Sequence, residues 1–529
     1  MDRRVTWVGI VLLLCFALLF LQLNNLQVKQ ATALNNNYLN QHLPGSTSEW
    51  KEPRGSIISA DGVVLAYTRP SRGANKYYLR VYPHRTAAMF SDITGYYATA
   101  AEANPFGIEA SYNKLLRQHE SPANSLGALL DQHTETDNVY LTISEKLQAV
   151  AMQALNSAPV SFGGAIVAID PRNGDILAMY SNPSYNPNLF SVNSFTKVNA
   201  LATKLNSRGA CDVSKLNPLC NYATEEPEFP GSTMKVITTA AMFDHDPKLQ
   251  TEKFKYRSSL PFPSSPPLSN YGGESCGGDL ALILADSCDT AYAQLGDQLG
   301  VESLSAEAHS FGFCVGEGTL SSCGDTSFVP PLDLPNTEPS VFPGASTIAG
   351  SAAYLGYSAI GQFDDKATVL QMALVASAIA NNGVIMAPHV VTRAVNGYGE
   401  TEFTYKPHAW LKVTSANTAT QVRQLMTGVT RTPGATAYSL FSGWYSVGGP
   451  IIAAKTGTAE PLENTCGTYN WLIALGPAGP GQTPTVAVAA MIPVNKTECS
   501  TAGYAPTGAS VAGPVLLPVL QAALAQQGS

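Results

Sequence analysis

The chain has 529 residues, of which 45% are hydrophobic and 13% charged, and a net charge of −8. Such a length is too great for one ordinary core, and such a composition excludes a disordered chain, which leaves a globular protein of two or three domains. The acidic balance argues against nucleic acid as a partner.

From the N-terminus, Met1-Asp2-Arg3-Arg4 precedes an apolar run over residues 5–23, broken only by Thr6, Gly9 and Gln22. About 20 such residues cross a bilayer as a helix. Arg3 and Arg4 put the N-terminus in the cytoplasm by the positive-inside rule, with the remainder extracytoplasmic. The alternative is a removable signal peptide cleaved near Ala31-Thr32-Ala33, but the apolar core is long for a signal, which favours an uncleaved single-pass anchor. Leu14 before Cys15 also argues against lipoprotein processing. Residues 1–4 are thus expected to be a cytoplasmic tail and 5–24 a transmembrane anchor.

Asn24-Asn25 and Asn35-Asn36-Asn37 suit a polar spacer. Residues 53–66 read as two short strands around the Asp61-Gly62 turn. Up to residue 138 no catalytic constellation stands out, so residues 25–150 are expected to form the spacer and a non-catalytic pedestal domain. Residues 142–155 are helix-like, and 164–180 form a hairpin around Pro171-Arg172-Asn173-Gly174. These open a second domain, 151–529.

Pro230-Gly231-Ser232-Thr233-Met234-Lys235 runs directly into apolar residues 236–243, the pattern of a helix N-terminus. Ser232 and Lys235, three apart, then share a face and set a hydroxyl beside a potential base. Lowering an ammonium pKa from about 10.4 to near 7 takes about 4–5 kcal/mol, which demands desolvation or a second cation. Ser-x-x-Lys also occurs at Ser48/Lys51, Ser111/Lys114 and Ser194/Lys197. The pattern alone therefore selects nothing, and the loop setting of Ser194 counts against it.

The Pro/Ser-rich stretch 258–267 separates this segment from residues 280–292, which have helical character, as do 370–381 before Asn382-Gly383. Residues 451–460, 469–475 and 485–492 read as strands and 513–527 as a closing helix. Helices gathered between a first hairpin and a last group of strands indicate an α+β domain in which distant segments complete one sheet. Lys455-Thr456-Gly457 in the strand 451–460 occurs once and supplies the second cation that Lys235 needs. Its threonine can grip a carboxylate, and its glycine leaves room for a substrate strand alongside.

Cys15 lies in the apolar run, leaving eight cysteines. Spacing suggests Cys211 with Cys220, Cys276 with Cys288, Cys314 with Cys323 and Cys466 with Cys499, one of 105 connectivities. Lacking metal-ligand spacing, they fit disulfides of an oxidising compartment better than a metal site, with free buried thiols as the alternative.

The anchor, PRGSIISADGVVLA at 53–66, GAIVAIDPRNGDILAMYSNPSYNPN at 164–188, PGSTMKVITTAA, AIANNGVIMAPH and AAKTGTAE together resemble a class B penicillin-binding protein of the penicillin-recognising serine enzymes, nearly end to end. The resemblance implies a serine transpeptidase/β-lactamase-like fold, an antiparallel sheet with helices on both sides, beside a pedestal. It implies a peptidoglycan D,D-transpeptidase acting on stem peptides and acylated by β-lactams, with no cofactor or metal. Ser232 would be the nucleophile and Lys235 its base. Lys455, Thr456, Gly457 and Thr458 would bind the donor, and the Ser232 and Thr458 N–H groups would form the oxyanion hole. A membrane glycan polymerase of elongation or division would be the partner.

The family's Ser-x-Asn is matched imperfectly by Ser287-Cys288-Asp289, where Ser287 would relay protons. An aspartate only accepts hydrogen bonds and favours a protonated Lys235. This departure leaves a tuned enzyme, a weak one or a scaffold, with a D,D-carboxypeptidase as a further alternative. The expectation is that Lys455 balances Asp289 and activity survives.

Overall fold

The computed structural model describes residues 3–25, 30, 52–71, 77–98, 106–117, 119–120, 134–158, 163–192, 194–206, 211–212, 216–316, 326–460, 467–494 and 506–528. The chain opens with the 22-residue helix α1 (Arg3–Asn24). Its side chains from Leu12 onward are exposed, Leu13 at 72% and Phe16 at 67%. Side chains 3–6, 8, 9 and 11 lie outside the description, and among the described residues no helix is long and apolar enough to cross a membrane. Residues 31–33 and 35–37 also fall outside it.

Strands β1 (Ile57–Ile58) and β2 (Val64–Pro70) pair antiparallel across Asp61-Gly62, as the Asp-Gly turn requires. With β3 (Tyr78–Val81) and β4 (Asn138–Leu141) they build the pedestal sheet. Its interior holds a buried ion network. The Glu109 carboxylate accepts from Arg54 Nη2 at 2.7 Å, Arg80 Nε at 2.6 Å and Tyr82 OH at 3.0 Å. Burying one acid among two guanidiniums is tolerable because every carboxylate oxygen is paired.

Ser144 caps α2 (Glu145–Asn156) by accepting the Leu147 N–H. The expected hairpin is β5 (Gly164–Ile169) and β6 (Ile176–Asn182). After α3 (Phe195–Asn206) comes α4 (Lys235–His245). The Pro/Ser-rich stretch is not a plain separator. It forms a hairpin of Ser259–Phe262 with Ser265–Ser269 whose register shifts between Leu260 and Phe262, around Pro261, where a missing N–H costs no ladder bond. The expected helix at 280–292 is two helices, α5 (Leu280–Ala285) and α6 (Asp289–Ser310).

The next helix, α7 (Val369–Ala380), is buried at every residue, matching a sequence that is apolar apart from Gln371 and Ser377. β7 (Val391–Val395) and β8 (Thr401–Thr404) then cross back and complete the six-stranded pedestal sheet in the order β8-β7-β4-β1-β2-β3. The pedestal therefore draws strands from two separate stretches, 57–141 and 391–404, and a boundary at residue 150 falls inside α2. The helix α8 (Ala416–Arg431) precedes β9 (Ala453–Ala459), β10 (Thr468–Gly476) and β11 (Val486–Val494), and α9 (Gly513–Gly528) closes the chain.

The second large sheet runs β9-β10-β11-β5-β6, antiparallel throughout. All residues of β5 and β11 are buried, so both faces need cover. α2 and α9 pack together on one face, while α7 lies against β5, β10 and β11. The strand β9 is left at an edge, and that edge borders Ser232.

Two expected disulfides are formed, Cys211–Cys220 and Cys276–Cys288. Cys314 has a disulfide partner as well. Cys323, Cys466 and Cys499 lie outside the described residues.

Candidate active site

Ser232 sits in a single 3-10 turn, Gly231–Met234, that leads into α4. In 3-10 geometry residues three apart eclipse, so Ser232 and Lys235 stand over one another. Gly231 has φ +52°, its N–H donates to Gly361 O at 2.8 Å, and a Cβ there would lie 3.0 Å from the Thr458 backbone. The turn is thus pressed against the edge strand. Gly457 makes the same contact from the other side, where a Cβ would sit 2.8 Å from Pro230 O. The space that Gly457 leaves is filled by the serine turn itself, rather than held open for a substrate strand.

Helix α5 ends in a Schellman motif, with Ser287 N–H on Leu284 O at 3.2 Å and Cys288 N–H on Ile283 O at 2.8 Å. Ser287 occupies the left-handed position of that motif at φ +56°, where glycine is usual. An L-residue there costs roughly 1–2 kcal/mol. The conformation turns both the Ser287 carbonyl and its hydroxyl toward Lys235.

Lys235 is fully buried, and its three ammonium hydrogens are all engaged: Ser287 O at 2.7 Å, Ser287 Oγ at 3.2 Å and Asp289 Oδ1 at 2.5 Å. The Ser232 hydroxyl donates to the same Asp289 oxygen at 3.4 Å. Lys455, also fully buried, donates to Ser287 Oγ at 2.7 Å and Thr456 O at 2.8 Å. One continuous chain therefore links Ser232, Asp289, Lys235, Ser287 and Lys455. Asp289 is paired directly with Lys235; Lys455, expected to balance it, is reached only through Ser287 and feels the carboxylate at longer range.

Two cations and one anion share a dry site, so one ammonium must give way. Burial pushes Lys235 below the ordinary lysine range, opposed by Asp289. Burial together with the Lys235 charge pushes Lys455 down as well, and no carboxylate among the described residues is paired directly with it to oppose that. Lys455 is thus the amine that most readily stands neutral.

Around this chain lie groups with no sequence signal of their own. Thr456 Oγ1 bonds Thr436 Oγ1 at 2.8 Å, and the Thr436 N–H donates to Ala285 O at 3.1 Å, which ties β9 to the end of α5. Thr458 O accepts from Gln362 Nε2 at 3.4 Å, and Thr458 Oγ1 accepts the Gly508 N–H at 3.1 Å. The Tyr292 ring faces Lys235 Nζ at 5.4 Å.

The other Ser-x-x-Lys pairs do not join the site. Ser194 does directly precede a helix, α3, contrary to its expected loop setting, but Lys197 is exposed there. Ser111 and Lys114 are both exposed, and Ser48/Lys51 lies outside the described residues. Among the described residues the one cluster with metal-ligand spacing is Cys211, Cys220 and Glu225, whose sulfurs are joined to each other.

Comparison with known proteins gives two family matches. Residues 164–521 match the penicillin binding protein transpeptidase domain, and residues 54–139 match the penicillin binding protein A dimerisation domain. The chain is 33% identical over 545 residues to the peptidoglycan D,D-transpeptidase PbpA of Mycolicibacterium smegmatis, with 100% of both chains covered. The ceftriaxone acyl-enzyme of penicillin-binding protein A from M. tuberculosis superposes with a TM-score of 0.73 at 28% identity, covering 90% of this chain and 99% of that one. The imipenem acyl-enzyme of the same protein gives 0.72 at 29% identity, with 90% and 99% covered.

Proposed function

The chain belongs to the penicillin-binding protein transpeptidase family, as a class B member, and we propose that it is a peptidoglycan D,D-transpeptidase that forms a serine acyl-enzyme with stem peptides and is acylated by β-lactams. The observation that carries this reading is the unbroken polar chain from Ser232 to Lys455 at the free edge of β9. An extended donor peptide would lie along this edge by taking over the Thr456 and Thr458 carbonyls that Lys455 and Gln362 now hold. Lys455 and Thr456 meet the donor carboxylate, and the Ser232 and Thr458 N–H groups meet the developing oxyanion.

Ser232 Oγ attacks the carbonyl carbon of the penultimate D-alanine. Its proton moves onto Asp289, which hands one to Lys235 as Lys235 passes one to Ser287 and Ser287 passes one to neutral Lys455, so that Asp289 ends as the carboxylate and Lys235 as the ammonium. Lys455, rather than Lys235, is the net base, because Asp289 holds Lys235 as the ammonium. The same groups then return a proton to the departing nitrogen, the carbon–nitrogen bond breaks and D-alanine leaves. An acceptor amine attacks the ester, gives up its proton along the same route, and Ser232 regains its hydroxyl hydrogen.

The exposed apolar length of α1 supports a single-pass membrane anchor with the enzyme outside the cell, where disulfides persist. A membrane glycan polymerase of elongation or division, which makes the donor strands, is the partner expected beside such an anchor.

Incubation with a disaccharide-pentapeptide donor and an acceptor stem is expected to yield cross-linked dimer in step with D-alanine release. Release without dimer would make the protein a carboxypeptidase, and neither product would make it a scaffold. Asp289→Asn removes the first acceptor of the Ser232 proton but frees Lys235 to deprotonate and take that proton itself, so acylation is expected to stay within about tenfold of wild type. Asp289 raises the pKa of both lysines, so its removal lets them deprotonate earlier, and the acidic limb of the rate profile shifts to lower pH. A thousandfold rise in acylation would show instead that Asp289 poisons the site.

A further inference from the structure

The segment Ser287–Asp289 is held from outside the site by an arm formed by residues 254–278. The arm's base is a two-stranded ribbon, Phe254–Arg257 with Cys276–Gly278. Its attachments alternate with the catalytic side chains. Ser287 and Asp289 face the lysines, whereas Cys288 is joined to Cys276 of the arm and the Thr290 N–H donates to Asn270 Oδ1 of the arm at 2.9 Å.

Helix α6 needs a cap that its own sequence does not provide. Its N-cap residue is Cys288, which makes no side-chain cap bond and has its sulfur committed to the disulfide. The first amides of a helix require acceptors. Asn270 fills that role from 20 residues away. It is 6% exposed, and its amide nitrogen donates to Arg257 O at 2.7 Å and Glu274 O at 2.8 Å, so its orientation is fixed by both ends of the arm. The side chain thus braces the arm and the start of α6 against one another.

We propose that Asn270, together with the Cys276–Cys288 bridge, is a positioning residue for the reaction: it caps α6 in place of a local residue and so fixes Ser287 Oγ between Lys235 and Lys455. The inference rests on Ser232 being the acylated residue. The bonds at stake are 3.2 Å from Lys235 and 2.7 Å from Lys455, and a shift of about 1 Å in such a relay costs about 100-fold in rate.

The test measures the acylation rate constant and its pH profile with a fluorescent penicillin, alongside noncovalent affinity and melting temperature. Asn270→Ala and the pair Cys276→Ser/Cys288→Ser are each expected to slow acylation by about 10–100-fold and displace the acidic limb, with noncovalent affinity within about threefold of wild type. Asn270→Asp keeps an oxygen on the Thr290 N–H but turns its second oxygen toward the Arg257 and Glu274 carbonyls, so it is expected to slow acylation as Asn270→Ala does. The pair Cys211→Ser/Cys220→Ser removes a disulfide remote from the relay and is expected to change melting temperature without changing the rate. Variants that melt lower yet keep the wild-type rate and profile would overturn the proposal, as would an Asn270→Asp variant with the wild-type rate. Failure of the wild-type protein to label at all would instead sink the transpeptidase reading.

Discussion

Ser232→Ala is expected to abolish covalent labelling by a fluorescent penicillin and to cut acylation by about five to six orders of magnitude, the scale of removing a nucleophile that works as part of a unit. The fold should be indifferent to the change. Ser232 is only partly buried and its one side-chain bond, to Asp289, is 3.4 Å long. A melting temperature near wild type, with a Ser194→Ala control that still labels, completes the result. Residual labelling of the Ser232 variant, with loss in the Ser194 variant, would relocate the nucleophile to the start of α3. That outcome is opposed by the exposure of Lys197.

Lys455→Ala is expected to slow acylation by about 100- to 10,000-fold, the range for loss of a proton-transfer group. Lys455→Arg separates two roles. A guanidinium keeps the positive charge for a donor carboxylate but does not deprotonate in proteins. If Lys455 is the neutral amine that ends the relay, arginine fails nearly as badly as alanine; if it serves only as a cation, arginine restores the rate. The wild-type profile carries the same information. Burial and the Lys235 charge place Lys455 well below the usual lysine range, so the rate rises with pH as Lys455 deprotonates. The acidic limb should disappear in the alanine variant and persist in Ser194→Ala.

Much of this arrangement was legible in the sequence, where local chemistry dictates local structure. The Asp61-Gly62 turn, the hairpin at 164–182 and the buried α7 follow from turn residues and largely apolar runs. Ser232, Lys235 and Lys455 stood out because a hydroxyl, an adjacent amine and a second cation are what the chemistry requires. The break between α5 and α6 was not legible. Its left-handed residue is a serine, and the usual punctuation there would be glycine. The direct partner of Asp289 was likewise hidden, since charge reasoning allowed either lysine and only the fold sets Lys235 at 2.5 Å. Asn270 carried no signal, because its role depends on a helix start 20 residues further on. Nor does composition reveal that residues 391–404 belong to a sheet begun at residue 57.

That last crossing has a practical meaning for anyone dissecting the molecule. A fragment begun at residue 151 would sever α2 midway and strip β7 of its neighbour β4, baring a row of amides and carbonyls that invites sticking between copies. The pedestal is no detachable cassette: it is stitched by a returning thread to the lobe that holds Ser232.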